Sequence, residues 1–226
     1  MSNLANIGGR SKHPKRRYDA AGRRAAAAER RLAVVVAARD VFERRGWAAT
    51  RLREISAAAG VSQKLVEASF GTKAALLQAA VDYAIRGDIE PRPMSQRETV
   101  LAMEGAPDAP MMLRLHAAHL RRINSRSARI AAVVEQAAGA DPAVAALWRR
   151  MNENRAFGVD WATTTLLRKR GRRRGLTRRR AEPIFWVALD WATYRTLTEH
   201  AGLDDGDYEA WLRDYYTATL LPAARD

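Results

Sequence analysis

Residues 50–77 read TRLREISAAAGVSQKLVEASFGTKAALL, and this stretch decides the fold. Thr50 is a good N-cap for a short helix whose buried face is Leu52, Ile55 and Ala59. Gly60 closes that helix and suits a sharp turn. Ser62 caps a second helix of about two turns, ending near Ser69. Thr72 caps the next, with Leu76, Leu77, Ala80 and Val81 on its apolar side. Two helices joined by a tight glycine-containing turn, the second of them brief, describe a helix-turn-helix.

The sizes make sense for a duplex reader. The first helix braces across the backbone, and the second fits into a major groove about 12 Å wide. Its inner side needs few anchors, here Val61, Val66 and Phe70, and its outer side stays free. Upstream, Val34, Ala38, Val41 and Phe42 share a helical face that Gly46 ends. Residues 1–28 read as a basic arm, disordered to about residue 20, with an Ala-rich stretch from Arg23 able to run helically into the next element.

Downstream the pattern stays helical. Gly87, Pro91 and Pro93 make a break, and Ser95 to Glu104 reads as one short helix. Met112, Leu115, His119 and Ile123 share one face, and Ile130, Val133 and Val134 mark another helix. Asp141-Pro142 opens a long helix carrying Val144, Leu147, Trp148, Met151, Trp161 and Leu166. Ile184 to Leu197 reads as a further helix, and Asp204 caps the last one. Strand signals are few. The expectation is an all-α chain of about nine helices: arm 1–28, helix-turn-helix domain 29–78, and a C-terminal helical bundle 79–226.

Charge narrows the function classes. The net charge of +14 sits in two blocks. Residues 1–31 carry nine Lys/Arg against two acids, and residues 168–180 carry nine against none, on an otherwise nearly neutral body. Such blocks attract polyanions by counterion release. The absence of Cys removes disulfides and thiolate chemistry. There is no G-x-S-x-G element, phosphate-cradling glycine loop or metal shell, so no enzyme, metal or cofactor is expected. The longest apolar run, Leu32 to Ala38, is far short of a membrane span, and charges from Arg10 argue against a signal peptide. A cytoplasmic protein without membrane contact is the expectation.

The residues Ala37-Ala38-Arg39-Asp40-Val41-Phe42, Arg45-Gly46-Trp47, Ala49-Thr50, Ile55, Gly60-Val61-Ser62, Ser69-Phe70-Gly71-Thr72-Lys73 and Leu76-Leu77 resemble the DNA-binding domain of the TetR (tetracycline-repressor-like) family. The resemblance covers roughly residues 30–80, and Tyr208-Glu209-Ala210-Trp211-Leu212 is similar to the family's last helix. It implies that Gln63, Lys64, Leu65, Glu67 and Ala68 face the major groove. It also implies that Thr50, Ser62, Ser69 and Lys73 contact phosphates. Helix N-termini suit that second role, because their free N–H groups attract anions. Glu67 is a departure, since the family usually carries an aromatic there. A carboxylate is repelled by phosphate but can accept from a cytosine amino group. Lys12, Lys15, Arg16, Arg17, Arg23 and Arg24 form an arm placed to track the backbone or enter the minor groove.

The resemblance also implies a homodimer and a small-molecule effector. Ile184, Val187, Trp191 and Tyr194, with Tyr208, Trp211, Leu212 and Tyr215, are the expected dimer residues. Polar groups among apolar ones mark the expected pocket: His116, His119, Trp148, Asn152, Trp161, Trp186 and Asp190. The function implied is a sequence-specific regulator of transcription, released from a palindromic operator on double-stranded DNA by its effector. The alternative from another class is a nonspecific nucleic-acid-binding structural protein that uses both basic blocks.

Overall fold

Gly46 makes the first corner of the fold. Its φ of 70° breaks helical geometry near the end of α1 (Lys15–Ala49) and swings the chain towards α2. The computed structural model describes residues 15–223, with side chains from Gly22 onward, and among them there is no strand. α1 begins inside the stretch that composition marks as a disordered arm. Helix propagation from Ala25–Ala28 favours this, because each added residue gains a bond without a new nucleation cost.

α2 (Leu52–Ala58), α3 (Gln63–Phe70) and α4 (Lys73–Arg86) follow. The N-cap of α2 is Arg51, not Thr50, and Glu54 reaches back to the Arg51 N–H at 3.1 Å. Ser62 and Thr72 do cap α3 and α4, accepting from Leu65 N and Ala75 N. The turn between α2 and α3 depends on Gly60, whose φ is 65°.

Beyond Gly87 a 3-10 turn (Met94–Gln96) precedes α5 (Glu98–Glu104), dividing the stretch read as one helix. The two apolar faces read as separate helices belong to a single 29-residue helix, α6 (Ala109–Ala137). α7 (Pro142–Arg168) starts at the Asp141 cap as expected. The helix expected over 184–197 is broken. α8 (Arg178–Ala188) stops, Asp190 turns extended and caps α9 (Trp191–Arg195), and Thr196–His200 winds on as a π-helical turn. α10 (Asp205–Leu220) closes the described chain, giving ten α-helices among the described residues.

Two cores hold these helices. One joins Val34, Phe42, Ile55, Val66 and Leu76 to Ile130, Val134, Val144 and Leu147. The other joins Met103, Met112 and Leu120 to Leu166, Phe185, Tyr208 and Tyr216. α6 and α7 are antiparallel and run through both, so the helix-turn-helix sits directly on one end of the bundle. Each large apolar side chain buried in this way contributes about 1.5–3 kcal/mol. Among the described residues no helix is long and apolar enough to cross a membrane.

Candidate nucleic-acid interface

α3 has eight residues and only one of them, Val66, is buried. Phe70 is half-buried, and the Arg31 guanidinium from α1 lies 4.3 Å from its ring centre. Arg31 also donates to Ser69 O at 2.9 Å, clamping the last turn of α3. Sequence reading missed Arg31, because its partners lie 38 and 39 residues downstream. With its inner side fixed, α3 presents Gln63, Lys64, Glu67, Ala68 and Ser69 to solvent, with Leu65 half-exposed. Gln63 Nε2 donates to Glu67 Oε1 at 2.7 Å, one turn apart. The departure at Glu67 is therefore part of a pair. The carboxylate holds the Gln63 amide in a fixed orientation on the outer face.

The residues assigned to phosphate contact divide in two. Ser62 and Ser69 are exposed. Thr50 is fully buried, and its hydroxyl donates to Gly46 O at 2.7 Å. That hydroxyl ties the Gly46 corner and cannot present itself to a ligand in this conformation. Lys73 turns inward too. Its ammonium donates to Trp47 O at 2.7 Å and to Thr50 O at 3.1 Å, and it lies 4.0 Å from the Trp47 ring centre. Burial lowers its pKa, with Arg51 adding to the effect. A cation in the first turn of α4 is explained by this strap across the end of α1. The side chains of Arg51 and Arg53, at the start of α2, are exposed and pair with no carboxylate among the described residues, although Arg51 Nη1 donates to Ala48 O at 2.8 Å. They escaped the sequence reading because they flank Leu52 in no recognisable pattern.

Of the arm residues, Lys12 lies outside the described residues. Lys15, Arg16 and Arg17 fall in the first turn of α1, with side chains outside the description. Arg23 and Arg24 are exposed further along α1. The second basic block is elsewhere. It follows the far end of α7, a 27-residue helix whose length is about 40 Å and whose start packs in the helix-turn-helix core. Much of the block is tied down. Lys169 donates to Glu104 O and Ala106 O, Arg173 to Leu221 O and Ala218 O, and Arg178 to Asp160 and Thr164.

The residues expected to form one pocket are dispersed. His116 is buried, and its Nδ1 pairs with Tyr216 Oη at 2.8 Å; burial drives its pKa down to about 3. Trp148 packs against Trp191 at the first core with the rings tilted by 42°, and Asn152 donates to Trp148 O. Trp161 donates to Glu104, while Arg155 bridges Trp186 and Asp190. Of the seven, His119 lines a cleft of about 340 Å³ between α4, α5 and α6, and the other six lie outside that cleft. Among the described residues no group of three or more His, Asp or Glu is placed to hold a metal ion.

The expected dimer residues divide as well. Trp191, Tyr208 and Leu212 are buried within the chain, with Tyr208 Oη accepting from Asn124 at 2.9 Å. Ile184, Tyr194, Trp211 and Tyr215 are half-buried, and Tyr194 donates to Asp205 at 2.6 Å. Val187 is exposed on α8. α7 runs antiparallel to α8, with Arg178 on Asp160 and Arg155 on Asp190, and between those ties Phe157 is 70% exposed.

Residues 34–80 match the model of the bacterial regulatory proteins of the tetR family. No curated protein matches the sequence. Among solved structures the chain is similar to NalD of Pseudomonas aeruginosa, the secondary repressor of the MexAB-OprM multidrug efflux pump. The TM-score is 0.66 at 17% identity, covering 88% of this chain and 100% of that one. It is similar to a transcriptional regulator from Rhodococcus sp. Rha1, with a TM-score of 0.57 at 17% identity, covering 84% and 95%. It also resembles a Saccharomonospora viridis protein described as a transcriptional regulator and solved in complex with choline. There the TM-score is 0.63 at 15% identity, covering 86% and 98%. At these identities the likeness establishes a shared fold over nearly the whole chain.

Proposed function

From a chain that carries, in residues 34–80, the DNA-binding helix-turn-helix domain of the tetR-family bacterial regulatory proteins, we propose a two-fold dimer that represses transcription by inserting α3 of each copy into adjacent major grooves. The observation that carries this reading is the outer face of α3. Gln63, Lys64 and Glu67 are exposed and borne on a helix that one buried anchor, one cap and one arginine clamp hold rigid. Lys64 suits guanine, and Gln63, steadied by Glu67, suits adenine. Ser62 and Ser69 remain phosphate contacts in this reading. Arg51 and Arg53 take the place that Thr50 and Lys73 held in the sequence expectation.

The dimer face in this reading is the exposed side of α7 and α8 around Phe157 and Val187. Two of the four aromatic residues of α10, Tyr208 and Tyr216, are buried in the chain's own core, and Trp211 and Tyr215 are half-buried beside them. Phe157→Asp should shift the protein from dimer to monomer in sedimentation at fixed concentration, with little change in the monomer's helicity. A shift of equal size with Tyr215→Asp alone, and none with Phe157→Asp, would return the interface to α10.

Support for a small-molecule effector comes from the cleft beside α4 and from the relative solved with choline. Choline itself does not suit this chain, because the cleft wall is rich in arginine. The alternative of one duplex lying across both basic blocks is disfavoured by the length of α7 between them and by the internal bonds of Lys169, Arg173 and Arg178. Footprinting of the full chain on random-sequence DNA fragments separates the two. Discrete protected sites with two-fold symmetry are expected, and uniform coverage that vanishes with salt would overturn the proposal.

A further inference from the structure

The cleft of about 340 Å³ lies against the end of α4, the helix that connects the helix-turn-helix to the bundle. Its wall combines the apolar side chains of Ile85, Met94 and Ile123 with Arg97, Arg122 and Arg126. The charges there are not balanced. Arg97 is paired with Asp88 at 2.6 Å, yet its Nε is buried without a hydrogen-bond partner. Arg122 and Arg126 have no carboxylate partner among the described residues, and their mutual repulsion adds to burial in lowering the pKa of Arg126. His119, on the same face of α6, is held neutral: burial first, then Arg122 and Arg126, bring its pKa to about 4. A neutral imidazole offers one N–H donor without adding to the charge.

Arg126 faces two ways. Its Nε donates to Ala84 O at 3.0 Å and its Nη2 to Ile85 O at 3.1 Å, satisfying two of the carbonyls that a helix end leaves open. Its Nη1 makes no hydrogen bond among the described residues. Gly87, with φ of 84°, leaves room for the guanidinium, since a Cβ there would stand 3.1 Å from Nη1.

We propose that this cleft binds a small organic carboxylate, its head on Arg122 and the free edge of Arg126 and its apolar body against Ile85, Met94 and Ile123. This rests on the reading of the protein as effector-responsive and names the class of effector. A guanidinium fork matches a carboxylate, and Glu98 at the same wall disfavours a more highly charged anion. The same guanidinium caps α4, so an anion that draws Arg126 into the cleft loosens the last turn of α4 and alters how the helix-turn-helix is held.

The test uses the full chain without DNA. Calorimetric titrations compare hexanoate, its neutral counterpart hexanamide, and inorganic phosphate. Hexanoate should bind at least tenfold more tightly than either of the others. Arg122→Gln, at an exposed position, should weaken hexanoate at least tenfold without moving the thermal midpoint. Hydrogen exchange of the Tyr83–Gly87 amides should quicken when hexanoate is added. No binding of hexanoate, equal binding of hexanamide, phosphate as tight as hexanoate, or indifference to Arg122→Gln would each overturn the proposal. Unchanged exchange at α4 would overturn the coupling. Because no DNA is present, failure here leaves the groove-reading role of α3 standing, and failure of DNA footprinting leaves the carboxylate site standing.

Discussion

α3 and α10 look alike in one respect and behave in opposite ways. Both carry conspicuous side chains on the face that sequence reading turned outward, towards DNA in one case and a second copy in the other. In α3 those side chains, Gln63, Lys64 and Glu67, are exposed. In α10, Tyr208, Leu212, Tyr216 and Leu220 are buried in the chain's own core, and only Trp211 and Tyr215 reach the edge, stacked 5.2 Å apart. The difference is physical. A two-turn polar helix with one apolar anchor has only one way to sit. An aromatic helix satisfies the hydrophobic effect equally against its own chain or another, and period alone does not choose.

The contrast can be broken most forcefully at Tyr208. Tyr208→Ala removes a fully buried ring and the partner of Asn124, so unfolding free energy should fall by about 3–5 kcal/mol in denaturant titration. A loss below about 1 kcal/mol would mean that α10 is not core.

Acid should weaken the same core. His116 has an ordinary pKa near 6.5 unfolded and about 3 folded, so its contribution is intact above pH 6.5. It is lost as pH falls towards 3, amounting to roughly 3 kcal/mol by pH 4. His119, brought down to about 4, acts in the same direction. Thermal midpoints measured from pH 7 to pH 4 should therefore drop more steeply in the native protein than in a His116→Gln variant.

A smaller loss is expected where the helix-turn-helix is strapped together. Lys73→Met leaves the Trp47 and Thr50 carbonyls without their donor and should cost about 1.5–3 kcal/mol. If Lys73 instead served phosphate alone, stability would be unchanged and only DNA affinity would suffer. At the bottom of the scale, Gln63→Ala and Lys64→Ala should leave stability within about 0.5 kcal/mol. Each should nevertheless cost about 1–3 kcal/mol of sequence-specific DNA binding. Equal losses of folding and binding would place these residues in the protein's own packing.

What was legible in the sequence was local. Gly60, Ser62 and Thr72 act within a few residues of themselves, and the spacing of Val61, Val66 and Phe70 fixes which side of α3 faces in. The misses were settled at a distance. Lys73 meets carbonyls 23 and 26 residues upstream, and His116 meets Tyr216 across 100 residues. The Asp190 break depends on Arg155 as much as on its own cap. The residues expected to share one pocket are dispersed for a related reason. A polar residue on an apolar face is equally well satisfied by one buried partner, as His116 is by Tyr216, and only long-range packing decides which residues surround a void.

The proposed function stands or falls on whether the outer face of α3 reads base edges. Selection of bound duplexes from random DNA by the native chain, Lys64→Ala and Glu67→Gln tests it most directly. Groove reading by α3 predicts a two-fold symmetric site with half-sites about one helical turn or more apart, altered in each variant at only one or two symmetry-related base pairs per half-site. Identical enriched sequences from all three proteins, or no enrichment from the native chain, would contradict it.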